Sequence, residues 1–148
     1  MTKNVFIFGA GASRDEGLPQ QENLLYSYFT CTRHNDLRPD LEQYFRDFYN
    51  INFHDIATAK FPSFEESLGV LELAIQKEET YGTQYTLDKL VKIRNYLILS
   101  MGIAVEDCPL NGNDTYNTLI SRLYRGEHFE KGEYSFINFN YDILLDMA

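Results

Sequence analysis

At 148 residues the chain has the length of a single domain, enough to enclose a hydrophobic core. Thirteen Lys and Arg stand against 22 Asp and Glu, for a formal charge of −9. That balance argues against general nucleic-acid binding and against an anionic membrane as partner, because both need a cationic face.

Val5-Phe6-Ile7-Phe8 is a short run of β-branched and aromatic residues and predicts a buried strand over residues 4–8. Gly9-Ala10-Gly11-Ala12-Ser13 follows at once as a glycine-spaced turn. Leu24, Leu25, Tyr28 and Phe29 then lie on one face of a helix. Strand, glycine turn and helix together form a phosphate cradle, in which glycines admit close approach and the helix N-terminus offers unpaired N–H groups. The same arrangement also occurs as a plain turn with no ligand.

Residues 30–36 hold no strand ending in an acidic residue, and no third glycine completes GxGxxG, so a dehydrogenase-type nucleotide fold is disfavoured. Leu41, Tyr44, Phe45, Phe48 and Tyr49 predict a helix, with Pro39 near its start. Ile51 to Ile56 reads as a short strand or a loop, with the loop favoured. Ser63 and Glu66 form a capping box at the head of a helix carrying Phe64, Leu68, Leu71 and Ile75. Leu87, Leu90, Val91, Leu97, Ile98 and Met101 mark the next helix. Asn111-Gly112-Asn113-Asp114 is a turn, and Tyr116, Leu119, Ile120, Leu123 and Tyr124 mark a further helix closing at Gly126. The 22 Tyr and Phe residues fall at helical spacing and read as core rather than as a base-stacking platform.

Tyr134-Ser135-Phe136-Ile137-Asn138-Phe139 predicts a second strand, over residues 134–139. Asn138, Asn140 and Asp142 follow at alternate positions, and such side chains point to one side of an extended chain. At the C-terminal end of a parallel strand they would line the crevice where α/β folds bind ligands, and their donors and acceptors suit ribose hydroxyls. Asn140 or Asp142 read equally as a cap for the next helix.

Cys31 and Cys108 lack CxxC partners, so neither a zinc site nor a disulfide framework is expected, and reduced thiols fit a cytoplasmic protein. His34, His54 and His128 share no metal spacing, and no metal is expected. No charged-then-apolar leader and no apolar run near roughly 20 residues is read, so neither secretion nor a membrane span is expected.

Taken together, Gly9-Ala10-Gly11-Ala12-Ser13, Gly17-Leu18-Pro19 and Asn140-Tyr141-Asp142 resemble the sirtuin-type NAD-binding domain. The nearest likeness is to the bacterial sirtuin-like branch without a zinc module, which includes NAD-cleaving effectors of antiphage defence. Phe64-Glu65-Glu66-Ser67-Leu68 looks like the helix start found in that branch's helical insertion. The resemblance implies an α/β fold over residues 1–148, a Rossmann-like parallel sheet with a helical insertion at about 36–126. It implies NAD or ADP-ribose as ligand and cleavage of the nicotinamide–ribose bond as reaction. Gly9, Ala10, Gly11, Ala12, Ser13, Arg14, Pro19 and Asn138 would then bind the nucleotide. Asn140 would orient water or ribose, and Asp142 would bind hydroxyls or steady the cationic centre.

The chain departs from that pattern in two places. Gln20-Gln21 follows Gly17-Leu18-Pro19 where true sirtuins carry Asp-Phe-Arg, so protein deacylation is doubtful. The family's completing His lies on a later segment, and no His follows Asn140. With only two predicted strands, an incomplete N-terminal portion is expected, inactive alone and completed by a further segment or by a homo-oligomer. Two other functions stay open: a non-catalytic NAD or ADP-ribose sensor gating a partner, and an interaction module that pairs through its sheet edge.

Overall fold

The computed structural model describes residues 3–31, 36–125, 134–140 and 144–147. The protein is α/β, mostly helical, with a two-stranded parallel sheet. It divides into two compact units: Met1–Gln20 with Pro109–Ala148, which carries the sheet, and Gln21–Cys108, which is helical.

In the helical unit α1 spans Leu24–Cys31, α2 Arg38–Tyr49, α3 Phe64–Gln76 and α4 Leu87–Asp107. The predicted apolar stripes are mostly inward faces, with Ile98 of α4 exposed as an exception. Leu41 and Phe45 of α2 and Leu90, Ile93 and Leu97 of α4 are fully buried, and α1, α2 and α3 all pack on α4. Burying each such side chain is worth about 1.5–3 kcal/mol. The aromatic residues knit this core: Phe29 lies 4.9 Å from Phe53, 5.6 Å from Phe45 and 5.3 Å from Phe61, ring centre to ring centre.

Local signals set the helix ends. The Ser63 hydroxyl accepts from the Glu66 N–H at 3.1 Å, and the Glu66 carboxylate accepts from the Ser63 N–H at 2.8 Å, as the capping box requires. Pro39 sits in the first turn of α2, and Asn50 closes that helix in the left-handed region at φ 54°. Residues 51–56, read as strand or loop with loop favoured, run into two short 3-10 turns over Phe53–Thr58, broken at Asp55 (φ −133°), and the Asn52 side chain accepts from the His54 N–H at their start. The Gly126 cap expected after the fifth helix lies outside the described residues, as do His34 and His128.

Asp40 of α2 ties that helix to α4, accepting from Lys92 Nζ at 2.8 Å and Lys89 Nζ at 3.1 Å. The Lys92 hydrogen bond holds the Asp40 pKa below the ordinary carboxylate value; partial desolvation opposes it and Lys89 reinforces it. A folded-state pKa below the unfolded value gives stability that is present above about pH 4 and lost as pH falls through the folded value. Asp40→Asn is therefore expected to lower unfolding free energy at pH 7 by at most about 1 kcal/mol. Near pH 2 it should change nothing. Urea titrations at the two pH values check this.

In the other unit β1, Asn4–Phe8, pairs in parallel with β2, Tyr134–Asn138, with Asn4 opposite Tyr134 and Phe8 opposite Asn138. The Phe139 N–H donates to the Phe8 carbonyl at 3.0 Å and carries the ladder one residue further, so the second strand matches its predicted span closely. Alternation splits the sheet into two faces. Phe6 and Phe8 share one face with Phe136, their rings 5.5 and 6.3 Å from it. Val5, Ile7, Ile137 and Phe139 form the other face and are exposed, Phe139 to 72%, so β1 is not the buried strand its apolar run predicts: one of its faces has no described residue packed over it. Helices α5, Thr115–Tyr124, and α6, Leu144–Met147, belong to the same unit. Among the described residues no helix is long and apolar enough to cross a membrane.

Candidate functional site

The glycine turn leaves the C-terminal end of β1 and tightens at once into a 3-10 helix, Ala10–Ser13, with the Ala12 N–H donating to the Gly9 carbonyl at 2.8 Å. This differs from the expected cradle, in which α1 follows the turn. Leu24, Leu25, Tyr28 and Phe29 of α1 are buried in the core of the helical unit. The chain first reverses at Gly17, whose φ of +100° belongs to glycine. A Cβ there would lie 2.9 Å from the Asn111 nitrogen and the Pro109 carbonyl oxygen.

Gly9 and Gly11 contrast with Gly17. Gly9 is extended at φ −122°, and neither lies in the left-handed region. Among the described residues, a Cβ at Gly9 meets nothing within 4 Å, and one at Gly11 meets only the Gln20 side-chain nitrogen at 4.0 Å. Neither the backbone conformation nor the described packing around them demands glycine at these two positions. Among the described residues, what their smallness leaves is open space over the turn.

Ser13 is 1% exposed and closes the 3-10 helix. Its hydroxyl lies 2.9 Å from the Tyr116 hydroxyl, and Asn140 Nδ2 donates to Ser13 Oγ at 2.9 Å and to Tyr116 Oη at 3.2 Å. Three segments more than 100 residues apart at their extremes thus meet in one ring of polar groups. Proton counting fixes the orientation of the carboxamide. Three mutual contacts need three protons. With NH₂ facing the hydroxyls, the amide supplies two and one hydroxyl supplies the third. With the oxygen facing them, only two hydroxyl protons are at hand and one contact is left without a hydrogen. Asn140 Oδ1 is consequently turned away, and it is buried without a hydrogen-bond partner among the described residues. An unpartnered buried acceptor costs about 1–3 kcal/mol.

Asn140 engages Ser13 and Tyr116 with its side chain, rather than a backbone N–H of any described residue. Its own N–H donates to Asn138 Oδ1 at 3.1 Å, so Asn138 spends its oxygen on a local turn at the strand end. Arg14 is exposed, and Pro19 is half-buried beyond the Gly17 reversal. Asp142 lies outside the described residues.

Two residues of this region escaped the sequence reading. Tyr116 scored there only as one of five residues on a helix face. Its ring also meets Phe8 edge-on, 5.7 Å between centres. Glu16 is 8% exposed, and its carboxylate accepts from the Thr115 N–H at 2.7 Å and the Tyr116 N–H at 3.4 Å. It caps α5 from about 100 residues away, because the Asp114 side chain at the cap position accepts from Asn117 instead. No cluster of three or more His, Cys, Asp or Glu placed to hold a metal occurs among the described residues.

Comparison with protein-family models, curated proteins and solved structures finds no match for the chain.

Proposed function

We propose that this chain carries a nucleotide-binding site of sirtuin-like type, with NAD as its substrate. The observation that carries the reading is the meeting of Ser13, at the end of the glycine turn after β1, with Asn140, just past the end of the parallel neighbour β2. Ligands of parallel α/β sheets bind at the carboxyl ends of their strands. The order of Gly9-Ala10-Gly11-Ala12-Ser13, Gly17-Leu18-Pro19 and Asn140-Tyr141-Asp142 supplies the likeness to the family. In this reading the sheet is the first part of a Rossmann-like one.

The open space at Gly9 and Gly11 admits a pyrophosphate to the backbone, with Ala10, Ala12 and Ser13 lining the turn. Arg14 and Pro19 flank it, Arg14 as an exposed cation available to an anion. Asn138 and Asn140 face the ribose. Cleavage breaks the bond between ribose C1′ and the nicotinamide nitrogen and forms one from C1′ to a water oxygen. Nicotinamide leaves neutral and the water's surplus proton passes to solvent. The ribose becomes oxocarbenium-like on the way, so Asn140 orienting the water and Asp142 steadying the positive charge are the two roles the chemistry asks for.

Calorimetric titration of the purified protein with NAD⁺ and ADP-ribose tests the reading, with saturable binding of both expected. No binding of either would remove it. A second reading, a sensor that binds without cleaving, is favoured by one fact: both Asn140 amide protons are spent inside the protein and Oδ1 is shielded from solvent. Chromatography for nicotinamide released by the intact protein separates the two readings, because a sensor binds and releases none.

A further inference from the structure

We infer that Tyr116 is a positioning residue of this site: together with Ser13 it holds the Asn140 carboxamide in a single orientation, with its NH₂ toward the two hydroxyls. The inference rests on the nucleotide reading above for its functional meaning, and on hydrogen-bond counting for its geometry.

A lone serine cannot orient a carboxamide. Its hydroxyl accepts from NH₂ or donates to C=O equally well. Adding Tyr116 breaks the tie, because the two hydroxyls also bond to each other at 2.9 Å and use one of their two protons in doing so. Both must then accept from the amide, at 2.9 and 3.2 Å, and only NH₂ can supply two protons. Tyr116 is itself held from independent directions. Glu16 receives its N–H at 3.4 Å, and Phe8 meets its ring edge-on. These contacts fix the backbone and ring of Tyr116 independently of Asn140.

The same count leaves a remainder. One hydroxyl proton, on Ser13 or on Tyr116, has no acceptor within the ring, and the buried Asn140 Oδ1 has no donor among the described residues.

The test is Tyr116→Phe, which removes one oxygen and keeps the ring against Phe8. In the ligand-free protein the Asn140 side-chain protons, followed by NMR, should exchange slowly. In the variant they should exchange at least about tenfold faster, with a melting temperature close to that of the parent. ADP-ribose affinity should fall about tenfold, the scale of one net hydrogen bond. A purely structural tyrosine would lower the melting temperature and leave the affinity of the folded protein alone. Unprotected Asn140 protons in the wild type, or equal protection in both proteins, overturns the inference. If Tyr116→Phe does not fold, Ser13→Ala breaks the same three-way count and must release the carboxamide; a carboxamide still fixed there overturns it too. If the wild type binds no ADP-ribose, the nucleotide reading fails, and the positioning role is decided by the exchange measurement alone.

Discussion

Gly11→Val abolishes binding of NAD⁺ and ADP-ribose and leaves the helical circular dichroism signal unchanged: this is the expected result with the largest effect. The fold itself has room for the substitution. Gly11 is outside the left-handed region, and its Cβ would find only the Gln20 side-chain nitrogen, at 4.0 Å. Valine is also a better helix former than glycine, so the 3-10 turn gains slightly from the change. The isopropyl group instead fills the space through which a pyrophosphate would approach the backbone N–H groups. Gly17→Ala is the opposite control. Its Cβ would press on backbone atoms of Pro109 and Asn111 at 2.9 Å, at a positive φ, and it should destabilise the fold outright. Unchanged affinity of Gly11→Val by calorimetry would withdraw the phosphate-turn assignment.

The second large effect is expected at Asn140. If its carboxamide orients water or ribose for the reaction, Asn140→Ala lowers nicotinamide release by the intact protein about 10²-fold or more. Binding survives better, because the glycine turn supplies much of the affinity. Stability should change little. The substitution removes two hydrogen bonds to Ser13 and Tyr116, together worth about 1–3 kcal/mol, and also removes the unpartnered buried Oδ1, which returns a comparable amount. Ser13 and Tyr116 keep each other as partners. Melting temperature and nicotinamide release measured on one preparation decide the matter. Normal turnover with a lowered melting point would make Asn140 a structural bridge and take it out of the reaction.

The parts of the fold legible in the sequence are those written in neighbouring residues. The Ser63 and Glu66 capping box sets the start of α3 within one turn, and β-branched and aromatic runs give both strands. The helix marked from Leu87 to Met101 runs on to Asp107, because Ala104 continues the buried face, while the unbroken small and apolar run Gly102-Ile103-Ala104-Val105 shows no period. The two 3-10 turns over Phe53–Thr58 have too few residues to show any period. The site is legible only in half. Gly11 and Asn140 stand in recognisable local patterns. Glu16 and Tyr116 do not, because each acts across about 100 residues of chain and nothing adjacent to either records its partner. Tyr116 carries the helical spacing of an ordinary core residue, and that is half of what it is: the ring packs on Phe8 while the hydroxyl reaches Ser13.

The pairing of Asn4 with Tyr134 has a kinetic side. Those residues are 130 positions apart, and drawing together the ends of so long a flexible loop costs about 4 kcal/mol of chain entropy before any strand contact offsets it. Once residues 21–108 have condensed into their own unit, only about 40 residues of flexible chain remain in the loop, and the cost drops by about 1 kcal/mol. Local helical contacts form quickly and distant strand pairing slowly. The glycine turn, Tyr116 and Asn140 therefore come together late, on an assembly route shortened by helices that take no part in the chemistry. A substitution that slows the condensation of α1–α4 delays completion of the site without touching one of its atoms.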